Sequence, residues 1–277
     1  MSRMVRSRFA SRGLVAVAAM AIAVGSFPAM VAAGPLSPAA VAAAPPAALL
    51  PAWDGSIDLY RDGVFTTQKT WLWCTAAGVQ IVRNIVERDN DHSTSGQRRY
   101  FDWMRKRNRY DLPESAGVDP QGWTAGLRQF VDDRYRLVAS RSFGAGLRSA
   151  AANLRRTGLP VALTVSNGNH GWILTGFEAT RDPLLTDDFE VTRVRVVGPL
   201  FGRQSKNGYD MPPDTRLSAR ELRRFFTPWR YAPLAMVWDG KYVSMQPVAK
   251  GHEPPVAWAA RAARFALEVH EILIAAR

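Results

Sequence analysis

The sequence predicts an α+β fold, and three observations carry that expectation. Apolar side chains recur at spacings of three and four through a series of segments between residues 75 and 156. Runs rich in β-branched and aromatic residues dominate from Leu159 onward, which places an antiparallel sheet after the helices. Asn167-Gly168-Asn169 sits between two of those runs and predicts a tight hairpin.

The first 52 residues lie outside that pattern. Residues 1–33 open with Arg3, Arg6, Arg8 and Arg12 and no acid, continue as an alanine-rich apolar core from Gly13 to Gly25, and end in the small residues Ala29-Met30-Val31-Ala32-Ala33. That three-part pattern is a secretory signal peptide. An uncleaved anchor is the other reading, because the apolar stretch is about 21 residues, near spanning length. Pro28 and the short apolar core favour cleavage. No arginine pair marks twin-arginine export, and no cysteine follows the core to accept a lipid. Residues 34–52, almost wholly Ala, Pro, Leu and Val, read as a semi-extended linker.

Residues 53–247 form the predicted domain, long enough to bury a core without disulfides. Trp53 to Val64 is short strand or loop. A helix over Thr75–Arg88 buries Ala77, Val79, Ile81, Val82, Ile85 and Val86. Asp89 to Gln97 is a polar loop, and Arg98–Arg109 a helix turning Tyr100, Phe101, Trp103 and Met104 inward. Asp119-Pro120-Gln121 is a cap with proline in the first turn, starting a helix over Gln121–Asp132. Phe143–Arg156 is a further helix, stopped by Thr157-Gly158. Strands follow at Leu159–Ser166, His170–Glu178 and Phe189–Val197, with a loop at Arg181–Asp188. Ser218–Phe226 is a short capped helix. Met236–Trp238 and Tyr242–Gln246 are expected to pair around Asp239-Gly240 as a last hairpin. Residues 248–277 close the chain with an amphipathic helix over Pro255–Ala276, which either docks on the domain or binds a partner.

Composition narrows the function classes. Four of the formal +12 charges leave with the leader, so the remainder carries +8, suited to an anionic cell envelope or acidic substrates. No basic helix with interleaved aromatics points to nucleic acid. One cysteine and four scattered histidines offer no metal-ligand spacing. Gly198-Pro199-Leu200-Phe201-Gly202 has proline where a phosphate loop needs backbone donors, so nucleotide binding is not expected. Membrane contact is expected only through an uncleaved leader.

Cys74, the only cysteine, opens the first helical run. By itself it could be an inert buried hydrophobe, and a lone strand histidine is commonly structural. Together with Gln68, six positions before it, and His170, at the head of a strand, it describes chemistry. A thiol with an ordinary pKa near 8.5 is mostly protonated at neutral pH, whereas the nucleophile is the thiolate. A helix N-terminus contributes about half a positive charge, and an imidazole can take the proton. The Gln68 amide beside the Cys74 backbone N–H would make an oxyanion hole, each donor worth about 3 kcal/mol. Trp71 and Trp73 flank this site, and Trp103, Trp123, Trp172 and Trp229 are either groove-lining or core.

The stretches Gln68–Ala77 (Gln-x5-Cys-Thr-Ala-Ala), Gly158–Leu163 and His170–Phe177 resemble the bacteriocin-leader-processing cysteine peptidases, and more closely the stand-alone exported domains related to them. These belong to the papain-like superfamily. The resemblance covers roughly residues 53–247. It implies a papain-like arrangement in which a helical part carrying Cys74 packs on the sheet. It also implies a Cys74–His170 pair, Gln68 in the oxyanion hole, and hydrolysis of a peptide or protein substrate without metal or other cofactor. Papain-like cell-wall amidases share the helix-borne cysteine and strand-borne histidine, but Gln-x5-Cys fits the peptidase group better. One departure stands out. The family carries an Asp followed by Pro after the next strand, to orient the imidazole; here the place reads Val196-Val197-Gly198-Pro199. Asn207 and Asp210 are the nearest substitutes in sequence. Without one the site is weakened, by about four decades if the effect matches asparagine for aspartate in a serine-protease triad. A non-catalytic binding module is then the alternative.

Overall fold

Ser, Asp and Gly residues at the ends of the apolar runs fix most element boundaries. In the computed structural model, which describes residues 53–203, 210–231 and 235–252, the chain begins with β1 (Ser56–Asp58), α1 (Cys74–Glu87), α2 (Thr94–Arg105) and α3 (Pro120–Phe130). It continues through β2 (Tyr135–Ser140), α4 (Phe143–Thr157), β3 (Val161–Val165) and β4 (His170–Ala179). After these come β5 (Val191–Val197), β6 (Thr215–Ser218), α5 (Ala219–Leu222) and β7 (Tyr242–Pro247). The leader, the linker and the expected C-terminal helix lie outside the described residues.

The class is α+β: helices pack on a seven-stranded antiparallel sheet ordered β2-β7-β3-β4-β5-β6. β4 is long enough to take two partners on one side. Its first half pairs with β3, from Val165↔His170 to Val161↔Leu174, and its second half with β1. Gly176 permits the second pairing, because a Cβ there would run into the Ile57 carbonyl and lie 3.0 Å from the Asp58 Cα. Side chains alternate between the two faces, as the pleat requires. Val161, Leu163, Val165, Trp172 and Leu174 join the core under α4, while Ala162 and Ile173 join the core under α1 and α3.

Several boundaries differ from expectation for local reasons. The second helix starts and ends four residues earlier than the apolar pattern indicates, because Ser93 caps it by accepting from the Gly96 N–H. β2 and β6 are not predicted at all. β2 is held by pairing with β7 from Tyr135↔Pro247 to Ser140↔Tyr242, and β6 by pairing with β5. That leaves no last hairpin: β7 pairs with β2 and β3, and residues 236–240 form a turn in which Asp239 accepts from the Met236 N–H. The helix expected over Ser218–Phe226 shortens to Ala219–Leu222 behind a Ser218/Glu221 capping box. The Asn167 hairpin is present, with Ser166, Asn167 and Gly168 all at positive φ.

Candidate active site

The four helices other than α1 begin behind a side chain that accepts from their first free N–H groups: Ser93, Asp119, Ser142 and Ser218. α1 begins behind Trp73, which has no side-chain cap to offer. Cys74 is its first residue, so the thiol sits among uncapped backbone donors. His170 is the first residue of β4. Cys74 and His170 line one cavity of about 200 Å³. Glycines on either side of the histidine admit large rings to that cavity. A Cβ at Gly171 would come 2.6 Å from the Trp123 ring, and one at Gly168 would overlap Trp229. Trp123 and Trp229 therefore line the pocket, whereas Trp172 is buried in the core and Trp103 packs on Phe130. Neither of the expected flanking tryptophans lines it. Trp73 is buried against Phe101, and Trp71 is 54 % exposed, with the Arg203 guanidinium over its ring.

Asp210, one of the two substitutes near in sequence, occupies the place beside Gly198 where the family's acid is expected. Its Oδ2 lies 2.9 Å from His170 Nε2, and its carboxyl group has no solvent exposure. Trp172 Nε1 donates to Oδ1 at 2.6 Å, and the Leu200 N–H donates to Oδ2 at 2.6 Å. A Cβ built on Gly198 would overlap this carboxylate, coming 2.6 Å from Oδ1 and closer still to Cγ and Oδ2. Glycine at 198 and the acid at 210 thus fill one volume between them. Asn207, the other substitute, lies outside the described residues. Trp172 and the Leu200 N–H were not anticipated. The His170-Gly171-Trp172 spacing carries the first, since residues two apart on a strand share a face.

Three influences set the charge on His170. Burial, the largest, pushes the imidazole pKa down. Hydrogen bonding to Asp210 and to Cys74, with the attraction of both groups, outweighs it and raises the pKa from 6.5 to about 9. Because Nε2 is engaged by Asp210, Nδ1 is the ring nitrogen left for the sulfur.

Gln68 is placed less simply. It is 1 % exposed, it does not line the cavity, and its Nε2 donates to the Thr70 carbonyl at 2.8 Å. One amide hydrogen remains for another acceptor, while Oε1 has no partner among the described residues. The loop around it is firmly held. The Gln68 N–H donates to the Pro199 carbonyl, the Lys69 N–H to Gln97 Oε1, and Arg203 Nη1 to the Lys69 carbonyl. Gln97, wholly buried in α2, also donates to Gln80 Oε1 and the Thr67 carbonyl. The approach to Cys74 is thereby tied both to the helices and to the Gly198-Pro199 turn that adjoins the acid.

Comparison with protein-family models, curated proteins and solved structures gives no match. The chemistry rests on the geometry alone. Among the described residues no group of three or more His, Cys, Asp or Glu is placed to hold a metal, and no helix is long and apolar enough to cross a membrane. His92 and His252 lie apart from the cavity, in loops.

Proposed function

We propose that this chain is an exported thiol hydrolase of papain-like architecture, cleaving an amide bond in a peptide, a protein or the cell envelope. The observation that carries the reading is the line Cys74, His170, Asp210: a thiol at an uncapped helix start, an imidazole raised to about 9, and a buried acid on its far nitrogen. The His170 ring takes the Cys74 proton through Nδ1, giving a thiolate and an imidazolium. The sulfur attacks the carbonyl carbon, and the oxyanion is met by the backbone N–H groups at the start of α1, which no side chain caps. Imidazolium then protonates the departing amine, leaving an acyl thioester. Water, activated by the same ring, releases the acid and restores the thiol. Asp210 holds the tautomer and stabilises the charged ring throughout.

The alternative, a non-catalytic binding module, is motivated by the glycine at 198, the basic surface and the expected C-terminal helix. Asp210 in the volume beside Gly198 supports the hydrolase reading over it. Export rests on the leader pattern in residues 1–33.

Alkylation of Cys74 by iodoacetamide across a pH range tests the reading. The expected outcome is a rate that persists well below the ordinary thiol pKa of about 8.5 and loses that acid limb in His170→Ala. A profile centred on an unperturbed thiol, and identical in the two proteins, overturns it.

A further inference from the structure

The cavity beside Cys74 has a wall built from loop, and the Arg105 side chain ties together the part of that loop which faces the cavity. Residues 106–119 link α2 to α3 without strand or helix, yet Leu112, Ala116 and Gly117 face the cavity. Arg105, in the last turn of α2, donates to four of their carbonyls. Nη2 reaches Leu112 and Pro113 at 2.8 and 2.7 Å, and Nη1 reaches Ala116 and, at 2.9 Å, Gly117. Among the described residues it has no ion pair, so its donors go to this loop. The fork geometry of a guanidinium suits the task, whereas an ammonium could not serve four separated acceptors in one plane.

What the wall encloses is lined mainly by apolar side chains, with Asp119 the one carboxylate in the lining. Leu72, Leu112, Val118, Trp123, Trp229 and Met236 are among its lining residues. Of the polar groups, Thr75 Oγ1, Trp123 Nε1 and Trp229 Nε1 have no hydrogen-bond partner among the described residues, whereas two others are engaged. Thr164 Oγ1 donates to the Val243 carbonyl, and Asp119 accepts from the backbone N–H groups of Arg109, Tyr110 and Gly122. Burial also raises the Asp119 pKa, despite those donors, which lower it. Lysine, arginine and glutamate are missing from the lining, so an anionic substituent would lose its hydration without gaining a cation. A cationic one would meet, outside the Cys74–His170 pair, only the Asp119 carboxylate, whose two oxygens are already engaged by backbone N–H groups.

We propose that Arg105 is the positioning residue of a preformed apolar subsite, and that the subsite selects substrates bearing an uncharged apolar side chain, of leucine to phenylalanine size, on the acyl side of the scissile amide. This rests on Cys74 as the nucleophile. The fixed wall makes selection a matter of fit, with little ordering left for binding to supply.

Peptidyl chloromethyl ketones that differ in the side chain next to the warhead provide the test, the thiolate displacing chloride to leave a thioether. In the wild-type protein, Leu and Phe probes should inactivate at least about tenfold faster than the Gly probe, with Asp and Lys probes slower still. Arg105→Met should bring the Phe-to-Gly ratio to within about threefold, with Arg105→Lys between the two, while the iodoacetamide rate stays at the wild-type value. Leu112→Asp, at a half-buried position of the wall, tests the pocket independently of how well the Arg105 variants fold. It should lower the Phe rate and raise the Lys rate. Equal rates for Gly and Phe in the wild type, an unchanged ratio in folded Arg105→Met, or an unchanged ranking in Leu112→Asp each overturn the subsite. Failure here with normal iodoacetamide alkylation leaves the nucleophile standing, and loss of the His170-dependent profile removes the nucleophile instead.

Discussion

α1 and α4 are the two longest helices among the described residues, and they treat their ends in opposite ways. α4 starts behind Ser142, whose hydroxyl accepts from the Ala145 N–H, and stops at Gly158, whose φ of 65° suits a residue without a Cβ. α1 starts behind a tryptophan that caps nothing and stops at Arg88, a non-glycine residue at φ 55°. An absent cap costs about 1 kcal/mol and a left-handed non-glycine residue about as much again. α4 is therefore built for stability at both ends, while α1 gives up stability at both and gains uncapped donors around Cys74 at one of them. In the proposed hydrolase the unfilled cap at the start of α1 has a chemical use; the strain at Arg88 has none that the structure displays. Substitutions at the site and at the helix ends should separate these two kinds of irregularity.

The largest effect is expected at Asp210. Asp210→Asn keeps the size of the side chain but lets the imidazole adopt the wrong tautomer, which should lower amide hydrolysis by about 10⁴-fold. Because Gly198 and Asp210 share one volume, Gly198→Asp alone should perturb folding through overlap. The exchange Gly198→Asp with Asp210→Gly should recover at least about tenfold over Asp210→Asn if the acid can be supplied from either position. Turnover in Asp210→Asn equal to wild type would break the assignment of the acid.

An intermediate effect follows from the imidazole. With its pKa raised to about 9, His170 remains charged at neutral pH and can protonate a leaving amine. Amide hydrolysis should fall as pH rises through about 9, whereas iodoacetamide alkylation, which needs no proton donor, should not. In Asp210→Asn the alkaline limb should move to lower pH. Stability follows the same group. A pKa raised on folding contributes stability that is fully present below the unfolded value of 6.5 and is lost as pH climbs to about 9. The melting temperature of His170→Ala should accordingly be less sensitive to pH across that window than that of the wild type.

Much of this frame is legible in the sequence wherever one residue decides a local conformation. Thr157-Gly158 ends α4, Asp119-Pro120 starts α3, and Asn167-Gly168 turns β3 into β4. β2 and β6 escape notice because each owes its strand to a partner: Tyr135 pairs with Pro247, far along the chain, and Leu217 with Val194. The site divides in the same way. Cys74 and His170 show themselves by residue type and setting. Asp210 shows itself only as one of two nearby substitutes, with Asn207, because it reaches His170 from forty residues downstream, and nothing in its neighbourhood is periodic. The readable sign lies at Gly198, since a glycine where a side chain is expected can mean that another group fills the space.

The smallest effects belong to the helix ends, and they bear most directly on the contrast between α1 and α4. Ser142 is exposed, so Ser142→Ala removes little but the cap and should cost about 1 kcal/mol. For a domain of this size that is a fall of about 2–4 °C in melting temperature. Arg88 is exposed as well, and Arg88→Gly should relieve its left-handed backbone and raise stability by about 1 kcal/mol. Neither change approaches the Cys74 cavity, so iodoacetamide alkylation should keep its wild-type pH profile in both. If Arg88→Gly stabilises the protein while slowing Cys74, the strain at the far end of α1 acts on the thiol through the helix. The two irregularities of α1 would then serve one purpose, in place of the one useful and one idle feature inferred from its ends.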